Sequence, residues 1–213
     1  EPYRRQRQMC IRDSTYTAEV GQQTLRSYIP KQLLLVGSAS YNDDGSTTEG
    51  TAEGGRQIVL YSVNDFNFEL EQIQSYAHVM HHEFAHILHQ NVEYDAEFEK
   101  ITPSYSSSWM QMNDETARSK GFITAYAFSS ADEDFAEMVS IMLTNSPEDW
   151  DNMIENAGNA AAVEALRKKE AIVVAYMKNN WGVNMKDFQK EVVAAIEAVS
   201  YTHLRAHETS QDL

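Results

Sequence analysis

The sequence predicts an α+β fold, with a small mixed sheet packed on one long helix and a mostly helical C-terminal half. Three observations carry this expectation. Residues 32–37 (QLLLVG) and 57–63 (QIVLYSV) are short apolar runs with the length and flanking turn signals of strands. Residues 69–91 place an apolar stripe at helical spacing. Beyond residue 130, amphipathic segments alternate with capping and breaking residues. At 213 residues, 42% hydrophobic and 23% charged, the chain suits one globular domain.

The two ends read as foreign to that domain. Residues 9–13 (MCIRD) can be written ATG TGT ATA AGA GAC, whose reverse complement, GTC TCT TAT ACA CAT, encodes residues 199–203 (VSYTH). The stretches 4–14 (RRQRQMCIRDS) and 199–209 (VSYTHLRAHET) resemble translated sequencing adapters around an insert. Residues 1–14 and 199–213 are therefore expected to be adapter- or vector-derived, with no part in folding, and the natural domain is expected at 15–198. On this reading any leader would lie outside the sequence. The segment between the ends carries 12 basic and 28 acidic residues. It lacks the basic footprint that nucleic-acid phosphates require, so no nucleic-acid partner is expected. No run of about 18 apolar residues occurs, so no membrane span is expected. Cys10, the single cysteine, falls in the N-terminal stretch. The domain therefore offers no disulfide, iron-sulfur site or cysteine nucleophile.

The elements follow in order. Residues 16–28 suit a short helix closed by Pro30. Residues 32–37 read as a buried strand. Residues 41–55, rich in Gly, Asp, Ser and Thr, read as a surface loop without the spacing of a phosphate cradle. Residues 57–63 read as a second strand. On the helix over 69–91, at about 100° per residue from His78, the residues Ile73, Ala77, Met80, Phe84, Ile87 and Leu88 fall between about 180° and 280°. His78, His89, His82 and His86 fall at about 0°, 20°, 40° and 80°, on a face the core does not use. Residues 92–120, with Tyr94, Phe98, Pro103, Tyr105 and Trp109, read as an irregular connection with at most short helices. Residues 131–144 form a second amphipathic helix. Pro147, behind a cap at Asn145 or Ser146, opens a further one. Helices over 160–179 and 184–198 complete the domain.

The chemistry lies in His82-Glu83-Phe84-Ala85-His86, an H-E-x-x-H pattern on the long helix. Two imidazoles one turn apart on one face can share one tetrahedral metal ion, with zinc as the expected ion. Glu83 between them is close enough to act as general base toward a water that the ion activates. A catalytic zinc site needs a third protein ligand and an open fourth position. One solution is a histidine six residues after the second, but Val92 stands there. The other is a glutamate on a later helix, and residues 131–137 (ADEDFAE) supply it. Glu133 and Glu137 share a face opposite Phe135, Val139, Met142 and Leu143. Glu133 is the expected third ligand, and Glu137 is expected to orient a ligating histidine. His78 and His89 flank the ligand face as polar neighbours. His81 points elsewhere.

HHEFAHILHQ, with residues 121–137 (GFITAYAFSSADEDFAE), resembles the metallopeptidases of the glutamate-zincin clan. Most of all it resembles the substrate import-associated zinc metallohydrolase lipoprotein family, encoded beside starch-utilisation-type outer-membrane import systems. The likeness covers most of 15–198, including YIPKQLLLVGS and NNWGVNMKDF. It implies a zincin-like fold with one catalytic Zn2+, and a peptide or protein substrate. It further implies a lipid anchor at the outer membrane or cell surface, and partnership with an import complex. A more distant similarity to the catalytic domain of anthrax lethal factor implies a catalytic tyrosine seven residues before the ligand glutamate, which is Tyr126 here. Two functions of different class follow: a zinc-dependent peptidase with Glu83 as base, and a catalytically weak zincin-fold module that helps capture peptides or glycans for import. Retention of Glu83 favours the first.

Overall fold

The computed structural model describes residues 30–211 apart from 44, 54, 55 and 68, and side chains as far as residue 201. The helix expected over 16–28 and the stretch 4–14 lie outside the described residues.

Strand β1 (Gln32–Leu35) pairs in parallel with β5 (Gln57–Leu60), and β4 (Gly50–Glu53) pairs with β5 antiparallel, giving a mixed sheet of order β1-β5-β4. A two-stranded ribbon, β2 (Ser40–Tyr41) and β3 (Thr47–Thr48), stands beside it. Two expectations need correction here. β1 was expected to be buried, yet Leu34 and Leu35 are 48% and 45% exposed, because β1 lies at the sheet edge and only the central strand β5 is covered. The stretch 41–55 is not one loop. It holds β2's end, β3 and β4, whose Thr-Thr and Gly-Thr-Ala-Glu residues are too few and too polar to show a strand period.

Helix α1 (Leu70–Asn91) lies against β4 and β5. The connection after it carries only short pieces: α2 (Glu97–Ile101), a 3-10 turn at Ser107–Gln111, α3 (Asp114–Ser119) and a 3-10 turn at Tyr126–Phe128. Then come α4 (Ala131–Thr144), α5 (Pro147–Glu155), α6 (Ala160–Trp181) and α7 (Met185–Gln211). The caps explain the boundaries. Ser130 Oγ accepts from the Glu133 amide, Ser146 caps α5 ahead of Pro147, and α6 ends on Gly182 at φ 71°. Helix α7 crosses the boundary expected at Ala198, with Val199 packed on the core and Ser200 buried.

α1 packs most extensively on α4, and α7 and α6 close over α4 from behind. The apolar stripe of α1 is in the core as expected, with Ile73, Ala77, Phe84, Ile87 and Leu88 all buried. The histidine face is not a solvated one, however. α4 covers it, leaving His82 only 6% and His89 7% exposed, while His81 is buried on another side with its ring edge-on to Phe188 of α7. Among the described residues no helix is long and apolar enough to cross a membrane.

Candidate metal centre

The packing of α1 on α4 brings three of the expected residues to one point. His82 Nε2 lies 3.0 Å from His86 Nε2, and Glu133 Oε2 lies 2.9 Å and 3.1 Å from these two atoms. Donors around a tetrahedral zinc at about 2.0–2.1 Å stand roughly 3.3 Å apart, so this triangle has the dimensions of a metal-binding face. Its chemistry fits as well, since two imidazole nitrogens and a carboxylate oxygen are zinc donors.

Each histidine is held from its far side. His82 Nδ1 donates to Glu137 Oε1 at 2.7 Å, which leaves Nε2 facing the triangle. His86 Nδ1 pairs with His89 Nε2 at 2.8 Å. His89 Nδ1 stands 4.0 Å from Asp132 Oδ1, which accepts the Tyr94 hydroxyl at 2.8 Å. Glu137 is 1% exposed and accepts two further bonds, from His78 Nε2 at 2.8 Å and from Thr124 Oγ1 at 2.6 Å. Neither His78 nor His89 has an atom in the triangle.

The fields at these groups follow from the geometry. Burial alone would lower His82, but the hydrogen bonds it donates to Glu133 and Glu137 push it up to about 10. Burial would raise Glu133, yet bonds to His82 and His86 hold it at about 2. Glu137 is likewise held well below the carboxylate range by His78 and His82 against the effect of burial. A pocket that keeps a proton this firmly between two carboxylates is one that attracts a cation. Glu83 is different: burial pushes it up despite the two histidines, and a backbone hydrogen bond from Ala52 of β4 reaches it. Burial, then Glu133 and Glu137, push Tyr126 up, so its hydroxyl stays a donor, and a side-chain hydrogen bond joins it to Glu133.

The triangle lies in a cleft of about 800 Å³. Thr48, Gly50, Thr51 and Ala52 form part of its lining, with Tyr126 and Glu83 beside the histidines. The approach of β4 to α1 depends on Gly50, where a Cβ would stand 2.5 Å from Val79 Cγ1 and 3.5 Å from Glu83 Cγ. Glu93, Glu99 and Asp132 also line the cleft, and among the described residues no Lys or Arg does, so an anionic ligand is disfavoured.

A family model described as "Putative zinc-binding metallo-peptidase" matches residues 7–186. The chain belongs to this family. The match begins within the stretch read as adapter-derived. Among solved structures, a "putative zinc-binding metallo-peptidase" from Bacteroides caccae is similar over 91% of this chain and 75% of its own length, with 34% identity and a TM-score of 0.75. No curated protein matches significantly. For this zinc-binding metallo-peptidase family member, the sequence placed His82, Glu83, His86, Tyr126, Glu133 and Glu137 as site residues, and all six lie at or around the triangle. It missed Thr124, Asp132 and the backbone of β4. His78 and His89, which support the site through Glu137 and His86, had left a signal, since the angular layout sets both beside the ligand face.

Proposed function

We propose that the protein is a zinc-dependent peptidase that hydrolyses peptide bonds, with one zinc held by His82, His86 and Glu133. The observation that carries this reading is the donor triangle at about 3 Å spacing in a cleft that Glu83 also lines. When bound, zinc supplies Lewis-acid polarisation of a carbonyl and a more acidic water. Glu83, buried and raised by that burial, takes the proton from the attacking water and passes it to the leaving amine. Tyr126, kept protonated, donates to the oxyanion of the tetrahedral intermediate. Glu137 holds the His82 ring with Nε2 turned inward. The open edge of β4 offers backbone groups to an extended substrate by strand addition, with Gly50 setting its distance from Glu83.

By the family resemblance, the protein works outside the cytoplasm on a lipid anchor, beside an import complex. The buried Glu83 argues against a purely binding role, because a carboxyl set apart from the donor triangle adds nothing to metal affinity. The test is cleavage profiling of a peptide library by the zinc-loaded chain and by Glu83→Gln. The variant should keep stoichiometric zinc and lose about 10² to 10⁴ of the rate. Equal profiles, or no cleavage by either protein, would replace the peptidase reading with the capture module.

A further inference from the structure

Glu137 has two oxygens, and they reach in different directions. Oε1 receives His82 Nδ1 at 2.7 Å and His78 Nε2 at 2.8 Å, both from α1. Oε2 receives the Thr124 hydroxyl at 2.6 Å, from the segment that leads into the 3-10 turn Tyr126–Phe128. Thr124 Oγ1 in turn accepts the backbone amide of Ala127 at 3.2 Å, the residue next to Tyr126. Thr124 is itself only 9% exposed, so water has little access to compete for these bonds. A continuous path therefore runs from the Ala127 amide through the Thr124 hydroxyl and the Glu137 carboxylate to the His82 ring.

We propose that Thr124 is a positioning residue that couples the turn bearing Tyr126 to the orientation of His82. This rests on the peptidase reading for its effect on turnover, but not for its effect on the His82 ring. Two groups that must act at one carbonyl come from different elements, Tyr126 from a 3-10 turn and His82 from α1. Their separation would drift if each were fixed only by its own element. One hydroxyl that accepts from the turn and donates to the carboxylate behind His82 removes that freedom. His78 supports the same carboxylate from the other side, which keeps Oε1 from rotating away from His82 when Oε2 is pulled. A buried threonine that merely fills space and satisfies its own hydroxyl needs only one of the two bonds.

Thr124→Val keeps the shape and removes the hydroxyl, while Thr124→Ser keeps the hydroxyl. With the full zinc-loaded chain, Thr124→Val should lower kcat about tenfold to a hundredfold with KM within about twofold, and should weaken zinc about tenfold in competition with a chelator. Thr124→Ser should recover most of both. In a Tyr126→Phe background, Thr124→Val should cost much less in kcat than it does alone, because the tyrosine it positions is gone. Full additivity of the two changes, or a valine variant with normal zinc affinity and kcat, would overturn the coupling. If the wild-type chain cleaves no peptide, the peptidase reading fails. The zinc affinities of the valine and serine variants then still decide for or against the hold on His82. Circular dichroism and melting of both variants separate a folding defect from either result.

Discussion

Helix α4 carries two buried carboxylates one turn apart, Glu137 at 1% and Asp134 at 0% exposure, and their surroundings differ in kind. Glu137 looks toward α1. Both of its oxygens are bonded, its partners are His78, His82 and Thr124, and the histidines hold it well below the carboxylate range although burial acts the other way. Asp134 looks away from the cleft toward α6. Its Oδ2 takes Lys169 Nζ at 2.5 Å and the Tyr105 hydroxyl at 3.0 Å, while Oδ1 has no partner among the described residues. Burial pushes Asp134 up in spite of Lys169. Lys169 is equally buried and also donates to the Gly121 carbonyl at 2.8 Å. One acid is thus linked to groups that reach the cleft, and the other ties α4 to α6 and to the segment before Tyr126. Burial and charge alone do not tell a site carboxylate from an anchoring one. The destination of its hydrogen bonds does.

Four measurements would break or sharpen that contrast. The largest effect is expected at Glu133, where Glu133→Ala should lose zinc affinity by several orders of magnitude in chelator competition, since it leaves two protein donors. Glu137→Gln should weaken zinc by about 10 to 100-fold with little change in melting temperature. If zinc binding were untouched, Glu137 would be an anchor like its neighbour. Asp134→Asn should do the reverse. It strands the Lys169 charge in the core at a cost of about 3–5 kcal/mol, which lowers the melting temperature by roughly 10 °C. Zinc affinity should stay within a few fold once the protein is folded. Replacing both partners, as in Asp134→Leu with Lys169→Met, should recover most of that loss, because no charge is left unpaired.

The smallest effect concerns pH in the metal-free protein. His82 lies above its ordinary 6.5 at about 10, so its contribution to stability is complete below pH 6.5 and is lost as pH rises through 10. Glu133 lies below its ordinary 4.5 at about 2, so its contribution is complete above pH 4.5 and is lost as pH falls through 2. These shifts are two views of one ion pair, and together they place the stability maximum between about pH 4.5 and 6.5. Zinc takes the neutral imidazole, so the alkaline decline should vanish on loading. Urea midpoints at a series of pH values, with and without zinc, measure this. A metal-free protein as stable at pH 9 as at pH 6 would refute the pairing.

Much of this could be read from residue order because the decisive signals are local. H-E-x-x-H fixes two imidazoles one turn apart whatever surrounds the helix, and the 133/137 spacing fixes which acids share a face. Pro147 marked the start of its helix, and of the two caps open to it, Asn145 and Ser146, the second is the one used. What stayed hidden is set by tertiary partners. The exposure of Leu34 and Leu35 depends on which strand takes the centre of the sheet, and nothing in QLLLVG encodes that. β4 pairs through its backbone, so its side chains carry little pattern. Nothing in ADEDFAE marks Asp134 as an anchor. Its partner Lys169 is 35 residues further on and sits in a run of charged residues that gives no sign of being buried.

The spacing of the donor triangle along the chain also bears on how the protein is made. His82 and His86 are in place as soon as one helical turn forms, whereas Glu133 stands 51 and 47 residues from them. A chain emerging during synthesis would present a two-nitrogen site long before the third donor docks, and α6 and α7 must still arrive to brace α4. Tight metal capture then reports that the helical half has assembled.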